Sequence, residues 1–208
     1  LPLSGRSPAA LAQVAARLAA QLGEGADLAS LAFSAGTARS HFTERAAIVA
    51  ADAGTARAAL LALAQGAVHP ALTRGTAEPG QAPEVVFLYT GQGSQYPGMS
   101  QRLYETSPAF RAVIDRCNAQ LGADAQGRTL LSVLFGAHDA NDATGAQAAI
   151  HETAWTQPAL FAVEMATTAL WRAWGIEPAA VIGHSVGEYA AACAASVFTL
   201  EEGIGLIA

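Results

Sequence analysis

The sequence contains no lysine, so all 11 of its Lys and Arg residues are arginine. With 17 acidic residues, the net charge is −6. Nucleic-acid binding requires a basic surface that neutralises phosphates, so this balance argues against a nucleic-acid partner. No basic cluster adjoins an amphipathic stretch, and no uncharged apolar run approaches the roughly 20 residues that a membrane-spanning helix needs. The composition therefore predicts neither a nucleic-acid partner nor a membrane partner.

Cysteine is nearly absent as well. Only Cys117 and Cys193 occur, and their separation in sequence excludes a CxxC metal or redox motif. Cys117 falls on the apolar side of a predicted helix, which favours a buried thiol over a disulfide and fits a reducing cytoplasm. The first residues, LPLSGRSP, lack the charged and apolar regions of a signal peptide. We therefore expect a cytoplasmic protein that holds neither a metal nor a cofactor of its own.

Hydrophobic residues are plentiful, at 52% of the chain, whereas charged residues make up only 13%. This composition is typical of a globular protein with a large core. A stretch rich in Gly, Pro and Glu, residues 75–83, is the best candidate for a domain boundary. We therefore divide the chain into residues 1–82 and residues 83–208.

Residues 1–82 have the pattern of a small α+β unit. Ser7 and Pro8 are typical of the first positions of a helix, and Asp27 is placed to open a second one. Residues 44–50 form a candidate strand, and a third helix is predicted around residues 55–65. No cluster of titratable residues and no glycine loop occurs here, so we interpret this part as a packing or spacer domain.

Residues 83–208 alternate between strand and helix patterns. The apolar runs 85–89 and 179–182 predict two strands of a parallel sheet, each covered on both faces. Helices are predicted to begin at Ser107 and Pro108, at Pro158, and at Gly187. This order is typical of an α/β fold with a parallel sheet and right-handed crossovers.

A GxSxG sequence, GHSVG at residues 183–187, stands between the second strand and its helix. In a nucleophile elbow of this kind, small residues flank the serine, whose Oγ projects at the carboxyl end of the strand. The following helix points its free N–H groups toward the reacting centre. Ser185 is therefore the candidate nucleophile, and the N–H of Val186 is a candidate donor to an oxyanion.

A second glycine turn, GQGSQ at residues 91–95, follows the first strand. It does not fit the dinucleotide-binding pattern GxGxxG, because Tyr96 stands in place of the third glycine. Adjacent parallel strands end at one edge of the sheet, so we expect the two turns to converge and this loop to supply a second oxyanion donor. A plain tight turn is the alternative interpretation.

Three motifs in this order, FLYTGQGSQYPGM (87–99), TQPALFAVE (156–164) and GHSVGEYAA (183–191), resemble those of a known family. It comprises the malonyl-CoA:acyl-carrier-protein transacylases and the acyltransferase domains of modular type I polyketide synthases. Residues 1–82, with LPLSGRS and SHFTERAAIVA, resemble the linker between ketosynthase and acyltransferase in such synthases. The resemblance implies an α+β linker domain followed by the first part of a parallel-sheet, α/β-hydrolase-like acyltransferase subdomain.

The resemblance also implies roles for individual residues. Ser185 would carry the acyl group, and the backbone N–H groups of Gln92 and Val186 would form the oxyanion hole. Gln157 would line the substrate site, and His184 would support it without acting as the base. In the family, the catalytic histidine and the carboxylate-binding arginine follow the elbow helix. Here all five histidines precede Ser185, so we expect both groups outside these 208 residues.

The acyl group is predicted from two markers. Malonyl-type family members resemble the hexamer ETAWTQ at residues 152–157 and often carry Val or Ile after the serine, as Val186 does here. The implied substrate is therefore malonyl-CoA, and the implied partners are an acyl carrier protein with its phosphopantetheine and a ketosynthase domain of the same polypeptide. An α/β-hydrolase-type thioesterase, a non-catalytic docking remnant and a loading or releasing acyltransferase with another substrate are the alternatives.

Overall fold

The computed structural model describes residues 1–23, 26–78, 80, 83–136 and 145–208. These residues form two compact units, Leu1–Pro83 and Glu84–Ala208. Three residues of the predicted boundary stretch, Pro79, Gln81 and Ala82, lie outside the described residues. In the described ranges, no helix has the length and apolar character needed to cross a membrane.

The first unit combines three helices with a three-stranded antiparallel sheet. Its elements are β1 (Pro2–Gly5), α1 (Pro8–Gln21), α2 (Leu28–Thr37), β2 (Glu44–Ile48), α3 (Ala53–Ala64) and β3 (Leu72–Thr76). Strand β2 lies in the centre, with Ala47 opposite Pro2 on one side and Ile48 opposite Leu72 on the other. Leu18 of α1, Ile48 of β2 and Leu60 of α3 are buried in one apolar core.

Side-chain caps begin α1 and α2 at the predicted places, whereas α3 begins at Ala53, after an Asp52 cap that was not predicted. Ser7 Oγ accepts a hydrogen bond from the backbone N–H of Ala10, and the Asp27 carboxylate accepts two from the first turn of α2. Two elements were not predicted. Strand β1 is short, and strand β3 is mostly exposed, so neither shows the alternation of apolar and polar residues that identifies a strand.

The second unit contains a parallel pair of strands and seven described helices. Its elements are β4 (Val86–Tyr89), α4 (Gln101–Thr106), α5 (Pro108–Leu121), α6 (Leu130–Phe135), α7 (Ala146–Ala149), α8 (Thr153–Ala173), β5 (Ala180–Gly183), α9 (Gly187–Ala194) and α10 (Leu200–Ile207). Strands β4 and β5 pair in parallel, with Tyr89 opposite Gly183, as predicted. Phe110, Phe161 and Ile204 are fully buried in the core between α5, α8 and α10, and the predicted burial of Cys117 is confirmed.

Two predictions for this unit were wrong. The strands are not covered on both faces by described residues, because Leu88 is 72% exposed and Ile182 is 59% exposed. Helix α8 begins at Thr153 and includes Pro158, which was predicted to start it. A proline near the start of a helix removes only one backbone hydrogen bond, and the burial of Trp155 and Thr156 favours the helical path before it.

Candidate active site

The turn between β5 and α9 holds Ser185 in a left-handed backbone conformation, with φ of 57°. This conformation is uncommon for a residue with a side chain and marks local backbone strain. A Cβ on Gly187 would lie 2.5 Å from the carbonyl oxygen of Tyr89, and a Cβ on Gly183 would overlap the carbonyl of Gly187. Gly187 is therefore required for the turn to pack against the end of β4, and Gly183 for the start of α9 to pack against the end of β5.

Backbone hydrogen bonds fix the same turn. The N–H of Gly187 donates to the carbonyl of His184 at 3.0 Å, and the N–H of Glu188 donates to that of Ser185 at 3.0 Å. The N–H of His184 donates to the carbonyl of Tyr89, which ties the turn to the end of β4. The exposed Ser185 side chain thus lies directly before α9, at the positive end of the helix dipole.

The glycine turn after β4 lies against the elbow, as predicted. A Cβ on Gly91 would lie 3.0 Å from His184 Nδ1 and 3.3 Å from Ser185 Cβ, closer than most side-chain contacts. Gly93 has a φ of 123°, and its N–H donates to Gln95 Oε1 at 2.7 Å. Gly91 is therefore the residue that lets the two turns touch.

Gln92 and Val186, the two predicted oxyanion donors, belong to these touching turns. In the described part of the chain, their backbone N–H groups have no hydrogen-bond acceptor. The Val186 side chain is buried, which anchors its backbone, whereas Gln92 is exposed in the loop. Two free N–H groups beside a serine hydroxyl are what stabilisation of an oxyanion requires.

Helix α8 supplies the remaining contacts of the loop. Gln157 Nε2 donates to Gln92 Oε1 at 3.0 Å, so the predicted substrate-site residue contacts the predicted oxyanion loop. Glu164 Oε1 accepts hydrogen bonds from the backbone N–H of Thr90 at 2.7 Å and from Thr90 Oγ1 at 3.1 Å. Sequence reasoning missed Glu164, although a carboxylate within the otherwise apolar run ALFAVE was a usable signal.

Comparison with known sequences agrees with this geometry. The family model described as "Acyl transferase domain" matches residues 86–208, which include both glycine turns and the serine. The chain belongs to the acyltransferase domain family. A second model, described as "CurL-like, PKS C-terminal", matches residues 1–60. The polyketide synthase GfsE of Streptomyces halstedii is 41% identical over the whole chain, which spans 5% of GfsE.

Solved acyltransferase domains have the same fold. The acyltransferase domain of ZmaA superimposes with a TM-score of 0.85 and 31% identity, and covers the whole chain. The acyltransferase domain from module 8 of the salinomycin polyketide synthase gives 0.77 and 35%, and covers 99% of the chain. The chain spans 46% and 47% of those two structures, about half of each. The predicted α/β acyltransferase fold is therefore confirmed.

Glu164 of this acyltransferase domain lies in an apolar environment. A groove of about 620 Å³ runs along β4 and α8, and its lining includes Glu164 and the threonines Thr90, Thr167 and Thr168. Burial raises the pKa of the Glu164 carboxyl, and the two hydrogen bonds from Thr90 oppose this rise. Glu164 Oε2 is buried, and no described residue donates a hydrogen bond to it.

The first residues of α8 are held by packing. Arg128 Nη1 lies 3.1 Å from Glu152 Oε1, and the Arg128 guanidinium lies 5.9 Å from the centre of the Trp155 ring. Trp155 is only 7% exposed, and Thr156 Oγ1 donates to the carbonyl of Ile150 at 2.6 Å. This arrangement fixes the helix start and hence the position of Gln157.

In the described ranges of the acyltransferase domain, no side chain that could act as a base is hydrogen-bonded to the serine. The Ser185 hydroxyl has no hydrogen-bond partner among the described residues, and the His184 ring lies against Gly91 without bonding to the serine. The same ranges contain no group of three or more His, Cys, Asp or Glu side chains positioned to hold a metal ion.

Proposed function

We propose that Ser185 carries an acyl group from coenzyme A to the phosphopantetheine thiol of an acyl carrier protein during polyketide biosynthesis. The observation that supports this best is the contact between two glycine turns: one holds the strained Ser185, and each carries a backbone N–H without an acceptor among the described residues. The match of residues 86–208 to the acyltransferase family supports the same reaction class.

The reaction we propose has two half-reactions. In the first, Ser185 Oγ attacks the thioester carbonyl, the hydroxyl proton passes to a base, and the carbon–sulfur bond breaks to release CoA, whose sulfur takes the proton. In the second, the base takes the proton of the carrier thiol, the thiol sulfur attacks the new ester, and the bond between the acyl carbon and Ser185 Oγ breaks as Oγ takes that proton. By resemblance, we propose that the base is a histidine and that an arginine binds the malonyl carboxylate.

We assign the two free amides to the oxyanion of each tetrahedral intermediate. The N–H groups of Gln92 and Val186 come from different turns, so they can bind one oxygen from two directions. Donors of this kind are held in place before the reaction, and loss of one typically raises the barrier by about 3 kcal/mol. The Gln157 side chain holds the Gln92 side chain by a hydrogen bond, and we assign Gln157 to the lining of the substrate site beside the oxyanion hole.

We propose malonyl as the acyl group. The support is the ETAWTQ hexamer at residues 152–157 and Val186 after the serine, both features of malonyl-type family members. We also propose that residues 1–82 join this domain to a ketosynthase domain of the same polypeptide. The match of residues 1–60 to a polyketide synthase C-terminal model supports this connection. The free, buried Cys117 and Cys193 fit a cytoplasmic location.

Intact-mass spectrometry of the full-length protein tests the proposal. The protein is incubated separately with malonyl-CoA and methylmalonyl-CoA, and the mass of any covalent adduct is measured. We expect a malonyl adduct that is absent from Ser185→Ala. Ser196→Ala is a matched control, because Ser196 also has a positive φ, of 62°, but lies at the end of α9.

Each result has a distinct meaning. A methylmalonyl adduct in place of a malonyl adduct would agree with the proposed mechanism but contradict malonyl as the acyl group. Hydrolysis of malonyl-CoA faster than transfer to a carrier protein would indicate a thioesterase. An adduct that persists undiminished in Ser185→Ala would disprove the role of the serine.

A further inference from the structure

Three residues in nearly consecutive positions, at the end of β4 and in the loop that follows it, each hydrogen-bond to helix α8. The Tyr89 hydroxyl lies 2.9 Å from Thr168 Oγ1, and Thr90 donates twice to Glu164. The third link joins the Gln92 and Gln157 side chains, described above. The end of β4 and the oxyanion loop are therefore attached side by side to a single helix.

The positions on α8 explain how one helix makes all three links. Gln157 and Glu164 are seven residues apart and Thr168 follows four later, so the three side chains lie along one face of the helix. The loop runs in the opposite direction, from Tyr89 beside Thr168 to Gln92 beside Gln157. This face of α8 thus sets the path of the backbone that presents the Gln92 N–H.

We propose that Glu164 is a positioning residue of the oxyanion hole, which acts by holding the backbone and side chain of Thr90 so that the Gln92 N–H points at the acyl carbonyl. The inference rests on the proposed function, because the hole has a purpose only in acyl transfer. Glu164 does not touch the reacting atoms, and its contribution passes through Thr90 and Gly91.

The surroundings of Glu164 argue against a purely structural role. The carboxylate lines a largely apolar groove, where burial disfavours its charge and Oε2 has no donor among the described residues. An apolar side chain would suit this place better if packing alone mattered. Among the described residues, only Thr90, two positions before Gln92, donates hydrogen bonds to the Glu164 carboxylate.

The test measures the rate constant of Ser185 acylation in single-turnover experiments on the full-length protein. Glu164→Leu removes the acceptor at similar volume, and we expect the rate constant to fall about 10- to 100-fold with KM for malonyl-CoA little changed. Glu164→Gln keeps an acceptor oxygen for Thr90 and should recover most of the rate. Thr167→Val is the matched control, because Thr167 Oγ1 donates only to Val163 within α8.

The amplitude of the reaction separates positioning from folding. A structural role would lower the fraction of protein that reacts while leaving the rate constant unchanged, and that result would overturn the inference. Equal losses in Glu164→Gln and Glu164→Leu would overturn it as well. If Glu164→Leu does not fold, Glu164→Met removes the acceptor for both Thr90 hydrogen bonds with a more adaptable apolar side chain, and an unchanged rate constant there would overturn the inference.

The proposed function and this inference can fail separately. Absence of an adduct on the wild-type protein would contradict the proposed function. Normal acylation of the wild type together with an equal rate constant in Glu164→Leu would contradict only the positioning role.

Discussion

The two compact units differ in where their backbone is strained. In the described part of the first unit, positive φ angles occur only at glycines, Gly66 and Gly80. In the second unit three serines adopt them, and one, Ser185, lies between two glycines that admit no side chain. The first unit can be explained by capping and packing alone, whereas the turn after β5 in the second unit holds a strained serine that capping and core packing do not explain.

The largest effect is expected from Gly187→Ala, which adds a methyl group 2.5 Å from the carbonyl oxygen of Tyr89. The new methyl group is fixed to the backbone at the start of α9, and the carbonyl oxygen belongs to the backbone of β4. Either β4 or α9 must therefore move, and the two glycine turns would separate. We expect the acylation rate constant of Ser185 in the full-length protein to fall by at least about 100-fold.

Gly205→Ala is the control for this substitution. Gly205 lies in α10 with open space where its Cβ would be, and alanine favours a helix more than glycine does. Its acylation rate constant should equal that of the wild type. Near-normal acylation in Gly187→Ala would show that the close approach of the turn to β4 is not required.

A core substitution in the first unit should lower the stability of that unit without slowing the acylation of Ser185. Leu60 is fully buried in α3, so Leu60→Ala should destabilise this unit by about 2–5 kcal/mol. The loss should be visible as faster hydrogen exchange in α1 and α3, with the rate constant of Ser185 acylation unchanged. Val68→Ala, at a residue that is 89% exposed, should change neither quantity. Slower acylation in Leu60→Ala would show that the stability of the first unit affects the reaction at Ser185.

The smallest effects are expected from removing two matched helix N-caps, one in each unit. Ser7 and Ser107 each precede a proline and accept a hydrogen bond from the third residue after them, at 3.2 Å and 3.3 Å. Ser7→Ala and Ser107→Ala should each cost about 1 kcal/mol, measured as faster exchange in α1 and in α5 respectively. Exchange that rises equally in both units would mean that they do not unfold separately.

Local sequence signals were sufficient for much of the fold. Ser-Pro pairs and Asp27 marked helix starts because a cap acts within four residues, and GHSVG marked the elbow because the turn itself requires small residues. The start of α8 was wrong because Pro158 was interpreted as a first-turn residue, whereas burial of Trp155 outweighs the single bond that the proline removes.

The contacts around the site could not be predicted in the same way. Thr90 and Glu164 are 74 positions apart, and Gln92 and Gln157 are 65 apart, so no local pattern links them. The exposure of Leu88 and Ile182 was missed for a related reason: an apolar run indicates a strand, but which faces are covered depends on distant elements.

The parallel pairing of β4 with β5 has a consequence for the order in which the protein folds. Val86 pairs with Ala180, so the pairing must close a loop of roughly 90 residues, which is slow because the entropy of that loop is lost first. The first unit pairs only segments within residues 2–76 and can form while later residues are still being synthesised. The elbow is therefore expected to be among the last parts to form, and slow-folding variants should accumulate with a complete first unit and an unreactive Ser185.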